Sequence, residues 1–172
     1  MPDAPELPEA KEPVERAIAI AIAIMAVLLS FIDNKGDNAK TDSILKTNEA
    51  TNKWAYFQSK SIKQSLREFE ADMIKLSPSA ASGEAAKKLD EMKLEIERYG
   101  AEKEKIGGEA KQLVDEATAS GEINDKCDQA ALLLQIAVVI ASVAILTRWK
   151  LMWYASLVLA AAGSYFGVLA FL

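Results

Sequence analysis

Residues 41–117 form a long polar stretch between hydrophobic segments, and apolar residues recur within it at alternating steps of three and four. Leu45, Asn48, Asn52, Ala55, Ser59, Ile62, Leu66, Phe69, Met73 and Leu76 make the first run, apolar for the most part, with the polar members toward its beginning. Leu89, Met92, Ile96, Tyr99, Lys103, Ile106, Ala110, Leu113 and Ala117 make the second, broken once by the charge of Lys103. Such stepping collects residues on one narrow helical face, which is hidden against a partner helix. Between the runs, Ser77-Pro78-Ser79-Ala80-Ala81-Ser82-Gly83 stops one helix and turns the chain. The pattern predicts an antiparallel coiled-coil hairpin with arms over about residues 37–76 and 84–118. Folding about Ala80 sets Phe69 near Met92, Ile62 near Arg98 and Tyr99, and Ala55 near Ile106. Gly107-Gly108 then falls opposite residues 52–55. Two glycines inside a helix cost about 2 kcal/mol together, so they mark either close approach of the facing arm, with room for Trp54, or a kink.

Three apolar blocks flank this middle. Residues 17–32 carry no charge and begin with alternating Ala and Ile. The alternation suits a strand, but the unbroken run is too long for one. As a helix it spans about 24 Å, a little under the ~30 Å hydrocarbon core of a bilayer, and Arg16 and Lys35 can snorkel to make up the difference. The region before it is acidic and no small-x-small cleavage site follows Ile32, which favours an uncleaved anchor over a signal peptide. Residues 130–147 contain one amide, Gln135, and residues 151–172 contain no charge; both are long enough to span. Arg148-Trp149-Lys150 joins them, and Trp149, Trp153 and Tyr154 suit an interfacial aromatic belt.

The expected fold is therefore an all-α membrane protein: three transmembrane helices with a long antiparallel coiled-coil helical hairpin between the first and second spans. Residues 1–15, with prolines at 2, 5, 8 and 13, are expected to be a disordered acidic tail. The first span covers 16–33, the extramembrane hairpin 34–128, the second span 129–147, the basic turn 148–150 and the third span 151–172. The stepping runs through Gly36 and through Ser120-Gly121-Glu122 without a change of phase, so each arm can continue its span as one helix, with Gly36 a soft point. Arg148 and Lys150 in so short a loop favour the cytoplasmic side, which places the N-terminus in the cytoplasm and the hairpin in the periplasm. Lys11 and Arg16 agree; Lys35, Lys40 and Lys126 disagree but belong to a long segment whose charges weigh less.

Composition narrows the chemistry. Twenty Lys and Arg against 25 Asp and Glu leave a net charge of -5, which offers no basic surface for nucleic acid. There is no histidine, which removes most general-base and metal-site schemes. The single cysteine, Cys127, has no internal disulfide partner, and with Asp125 and Asp128 beside Lys126 it reads as an inert small residue rather than an activated thiol. Glu68, Glu70 and Asp72 in one arm and Glu91, Glu95, Glu102 and Glu109 in the other are interspersed with Lys87, Lys88, Lys93 and Arg98, as on a solvated charged face. No catalytic, cofactor or metal site is expected, and no enzyme activity: a nucleophile–base pair and a phosphate-cradling loop are both missing.

The candidate functional residues are contact residues. Trp54, Tyr56, Phe57, Gln58 and Lys60 form an aromatic and basic cluster. On the heptad set by Asn52 and Ala55, Tyr56 flanks the seam and Trp54 and Phe57 share the outward face, where they need cover from another protomer, a partner, or a bend of the hairpin. Asn48 and Asn52 on the stripe can set register. In the spans, Ala137 and Ala141, Gly163 and Gly167, and Ser156, Ala160 and Ser164 form small-x-x-x-small faces for close helix packing. No Asp, Glu, Lys, Arg or His lies within the apolar runs 17–32, 130–147 and 151–172 of the spans, which argues against a pump or coupled transporter.

One segment carries a resemblance. Asn52-Lys53-Trp54-Ala55-Tyr56-Phe57-Gln58-Ser59-Lys60-Ser61-Ile62-Lys63-Gln64 is similar to a W-A-Y-Y-Q-A-K-S-I-K-Q-like segment of the bacterial membrane family described as domain of unknown function 4337. Residues 97–106, from Glu97-Arg98-Tyr99 to Ile106, resemble its second-arm segment. Phe57 stands where the family has a second Tyr, and Ser59 where it has Ala. The resemblance extends to the layout of one N-terminal span, a charged helical middle and two C-terminal spans. It implies a bacterial inner-membrane protein and supplies no activity. The expected role is a membrane-anchored coiled-coil scaffold that self-associates, its partners being the bilayer and further copies of itself. The alternative is an oligomeric channel or an accessory subunit working with another membrane protein.

Overall fold

The computed structural model describes residues 13–78 and 82–171. Of the expected acidic tail, residues 1–12 lie outside the described residues, as do Ser79, Ala80 and Ala81 of the turn and the last residue of the third span. Among the described residues all regular structure is helical: α1 is Pro13–Leu76, α2 is Gly83–Thr147 and α3 is Lys150–Leu169. Neither Gly36 nor Ser120-Gly121-Glu122 interrupts its helix.

The helix boundaries follow from local chemistry. Pro13 opens α1, at the one helical position where its missing N–H costs nothing. In the threonine-rich stretch Thr41, Thr47 and Thr51 donate their hydroxyls to the carbonyls of Asp37, Ser43 and Thr47, each four residues back, so these polar groups are satisfied within the helix. At the far end the Ser77 N–H tightens onto the Ile74 carbonyl at 3.1 Å, and Pro78 prevents another turn. Ser82 caps α2 by accepting the Ala85 N–H at its Oγ, 3.2 Å away. α2 ends at Thr147 because Arg148 enters the left-handed region at φ 54, a place more often held by glycine. Trp149 then extends the chain into α3.

The chain divides into two compact units. One combines residues up to Thr41 with those from Ser120 onward; the other is Asp42–Ala119. We refer to them as the apolar unit and the charged unit.

In the apolar unit Ile32, Cys127, Ala130, Ala131, Leu134 and Ala170 form the buried cluster, with Leu29, Ile123 and Ala160 packed against it. Small residues allow this closeness. A Cβ on Gly163 would stand 3.0 Å from the Ala130 carbonyl oxygen and from Leu134, and one on Gly167 would stand 2.6 Å from Ile32. Gly36 fits against Cys127, where a Cβ would come within 2.9 Å. Thus Cys127 is a buried packing residue, and Gly36 is a contact point within an unbroken helix.

In the charged unit the two helices run in opposite directions. Each seven-residue step forward along α1 is matched by a seven-residue step back along α2 in the ion pairs between them. α2 turns in Met92, Ile106, Ala110 and Ala117, all buried, while Ala50 and Ala71 are the buried apolar residues in the part of α1 that belongs to this unit.

The glycines separate by environment, which gives a direct test. Nothing stands within 4 Å of a Cβ on Gly108, so Gly108→Ala should raise stability by about 0.8–1 kcal/mol through helix propensity alone. Gly163→Val should lower it, by about 1–3 kcal/mol, because its new atoms meet backbone that cannot swing aside. Thermal unfolding followed by circular dichroism checks both.

Candidate interaction surface

The residues between α1 and α2 of the charged unit are built on a heptad of charge. Lys46, Lys53, Lys60 and Arg67 stand seven residues apart on α1, and Glu116, Glu109, Glu102 and Glu95 stand seven apart on α2. They pair in reverse order: Lys46 to Glu116 at 3.3 Å, Lys53 to Glu109, Lys60 to Glu102 at 2.6 Å and Arg67 to Glu95 at 2.7 Å. Asp42 and Glu70 reinforce the two ends from α1 itself, on Lys46 at 3.0 Å and Arg67 at 2.6 Å. The carboxylates expected to form a plain solvated face are therefore partly organised into a ladder. The matched seven-residue spacings in the two arms are the signal that reveals it in the sequence.

Aromatic residues fill the rungs. The Lys60 ammonium lies 5.3 Å from the ring centres of both Tyr56 and Tyr99, a cation–π arrangement across the two helices. Lys103 lies 5.5 Å from the Phe57 ring and reaches the Ser61 hydroxyl at 3.5 Å. Its charge breaks the apolar run of α2 because it faces this mixed surface. Ser43 donates its hydroxyl to the Ala117 carbonyl at 2.8 Å.

This geometry corrects the expected face of α1. Leu45, Ile62, Leu66, Phe69, Met73 and Leu76 do not meet α2; they are exposed, Ile62 at 69%, Phe69 at 63% and Leu76 at 82%. The face that meets α2 is displaced around the helix and carries Lys46, Ala50, Lys53, Phe57, Lys60 and Arg67. Trp54 and Phe57 likewise do not share an outward face. Both are half-buried, their rings 5.4 Å apart edge to face, and Phe57 lies over Gly107 at ordinary contact distance of the position a Cβ would take. Tyr56 and Gln58 are exposed and Lys60 is taken up by the ladder. The stripe expected for α2, from Leu89 to Ala117, is the one that turns inward.

Of the small residues in the apolar unit, Ala137, Ala141, Ser156, Gly163 and Gly167 are buried within the chain, and Ala160 and Ser164 are half-buried. Ser156 donates to the Trp153 carbonyl at 2.8 Å. At one end of this unit Arg148 pairs with Glu15 at 3.3 Å, beside a cleft lined by Val14, Ile18, Trp149, Lys150 and Trp153. Among the described residues no group of histidine, cysteine and carboxylate side chains is placed to hold a metal ion.

Among the described residues, three helices long and apolar enough to cross a membrane and a charged pair of opposed arms are the class that these elements define. The chain belongs to the family described as Domain of unknown function (DUF4337), which it matches over residues 14–172. No curated protein and no solved structure matches it.

The ladder shifts its own titration. Hydrogen bonds from Lys60 to Glu102, from Lys53 to Glu109, and from Gln112 and then Lys46 to Glu116 hold these carboxylates below their usual range. Asp42 raises Lys46, Glu102 raises Lys60 and Glu70 raises Arg67. Lowered carboxylates stabilise the folded state above their ordinary value of 4.5 and lose that contribution as pH falls through the depressed values. Raised lysines stabilise it below 10.5 and lose that contribution as pH rises through the elevated values. The hairpin should accordingly show a plateau of stability between these limits and melt more easily on either side. Separately, Lys60→Glu and Glu102→Lys should each lower its melting temperature by a few degrees, and the double exchange should recover most of the loss. Melting curves across pH, and a double-mutant cycle in low salt, measure the two effects.

Proposed function

We propose that the chain is a membrane-anchored scaffold that works by self-association and performs no chemistry of its own. In this reading α1, α2 and α3 each cross a bacterial inner membrane. The N-terminus is cytoplasmic, and the charged unit stands in the periplasm as an antiparallel coiled coil. The observation that carries the reading is the amount of apolar surface the chain leaves uncovered. Only 17%, 33% and 17% of the most apolar windows of the three helices are buried, with Ile20, Phe31, Val139, Leu146 and Val158 among the outward residues. Soluble monomers rarely expose apolar surface on this scale, and hydrocarbon is the medium that suits it. Trp149, Trp153, Arg148 and Lys150 gather at one end of the apolar unit, as residues at a lipid headgroup boundary do. The charged unit adds a second uncovered apolar face, on α1, which hydrocarbon does not reach in this topology and another protein surface would.

The test begins with fractionation. The full chain should stay with the membrane pellet after an alkaline carbonate wash, and in mild detergent should run by light scattering as an oligomer. Release by carbonate would refute the anchor, and a compact monomer in detergent would refute self-association.

A further inference from the structure

Resting on that reading, we propose that the exposed face of α1 between Leu45 and Leu76 is the interface with the same face of a second copy, the two helices packed parallel and in register. The residues on it are spaced by alternating threes and fours, the spacing that a partner helix requires and that a flat surface does not. Leu45, Asn52, Ser59, Leu66 and Met73 take one of the two core positions of a heptad; Asn48, Ala55, Ile62, Phe69 and Leu76 take the other. This seam lies about 130° around α1 from the ladder at 100° per residue, so α1 can hold α2 on one side and a second α1 on another.

The flanking positions fit the same occupant. Ile44, Thr51, Gln58 and Ser65 border one side of the seam without charge, as interface cores do, and Asp72 at its far end is the one charge in that row. In a parallel, in-register pair Gln58 faces Lys63 of the other copy and Ser65 faces Glu70, and no like charges meet along the seam. Asn52 meets its own equivalent at a core position, the arrangement that favours parallel two-stranded packing in a single register. Direction has an independent reason: in this reading α1 of every copy emerges from the same membrane face, so neighbours in one bilayer present this helix in the same sense. Within the charged unit α2 is held on a different side of α1, by the ladder.

Single cysteines in the full chain test this in native membranes, with the parent protein as the control for Cys127, which is buried. Oxidation should convert most of Leu66→Cys and most of Phe69→Cys to a disulfide-linked dimer. Glu68→Cys, also exposed but off the seam, should give little. These side chains are exposed, so circular dichroism should change little. A mixture of Ile62→Cys and Met73→Cys chains that crosslinks while Leu66→Cys does not would overturn the parallel register. An oligomer by light scattering with no crosslink at Leu66 or Phe69 would overturn this interface and leave self-association standing; a monomer would overturn both.

Discussion

The pairing of Lys46, Lys53, Lys60 and Arg67 with Glu116, Glu109, Glu102 and Glu95 is the constraint on which the charged unit depends. Half-exposed ion pairs are individually weak, so the ladder acts to select the facing sides of the two helices more than as a source of stability. Its period of seven rejects slips of one turn, which break all four pairs, but two rows of uniform and opposite charge would also match in parallel, so charge alone does not set direction. A slip of a full heptad would keep most of them. Unrepeated contacts remove that ambiguity: Phe57 over Gly107, and the Ser43 hydroxyl on the Ala117 carbonyl. Charge chooses the faces and packing chooses the register.

That division of labour explains which parts of the fold were legible in the sequence. The stripe of α2 was readable because Met92, Ile106, Ala110 and Ala117 are both the apolar residues and the inward ones. In α1 the two properties separate. Ile62, Leu66, Phe69 and Met73 are its most apolar residues and point away from α2, while the inward face is composed of alanine, one phenylalanine and the stems of long cations. Both faces have the same three-four period and differ only in phase. Periodicity reports that a helix has a seam, without saying which seam meets which partner. The discriminating information lay in charge spacing across the two arms. The same oversight turned Trp54 and Phe57 outward, since their placement was inferred from the wrong seam.

The apolar unit was easier to read because one rule governs it. Helices that approach closely need small residues where they touch, and Gly163, Gly167, Ala137 and Ala141 stand at buried positions. Less legible was Gly36, which looked like a soft point and instead fits against Cys127, the cysteine already read as an inert small residue. The left-handed Arg148 had no sequence signal either, since it occupies a position where glycine would be expected. The two units thus use opposite materials, shape with little charge in one and charge with modest shape in the other.

The most direct measurement is which face of α1 meets α2 within one chain. Cysteine pairs treated with a short bismaleimide, then resolved as single chains under denaturing conditions, report it. The account predicts an intramolecular crosslink for Phe57→Cys with Gly107→Cys and none for Ile62→Cys with Tyr99→Cys. The reverse outcome would mean that α1 packs through its large apolar residues, and would contradict both the ladder's role and the free seam.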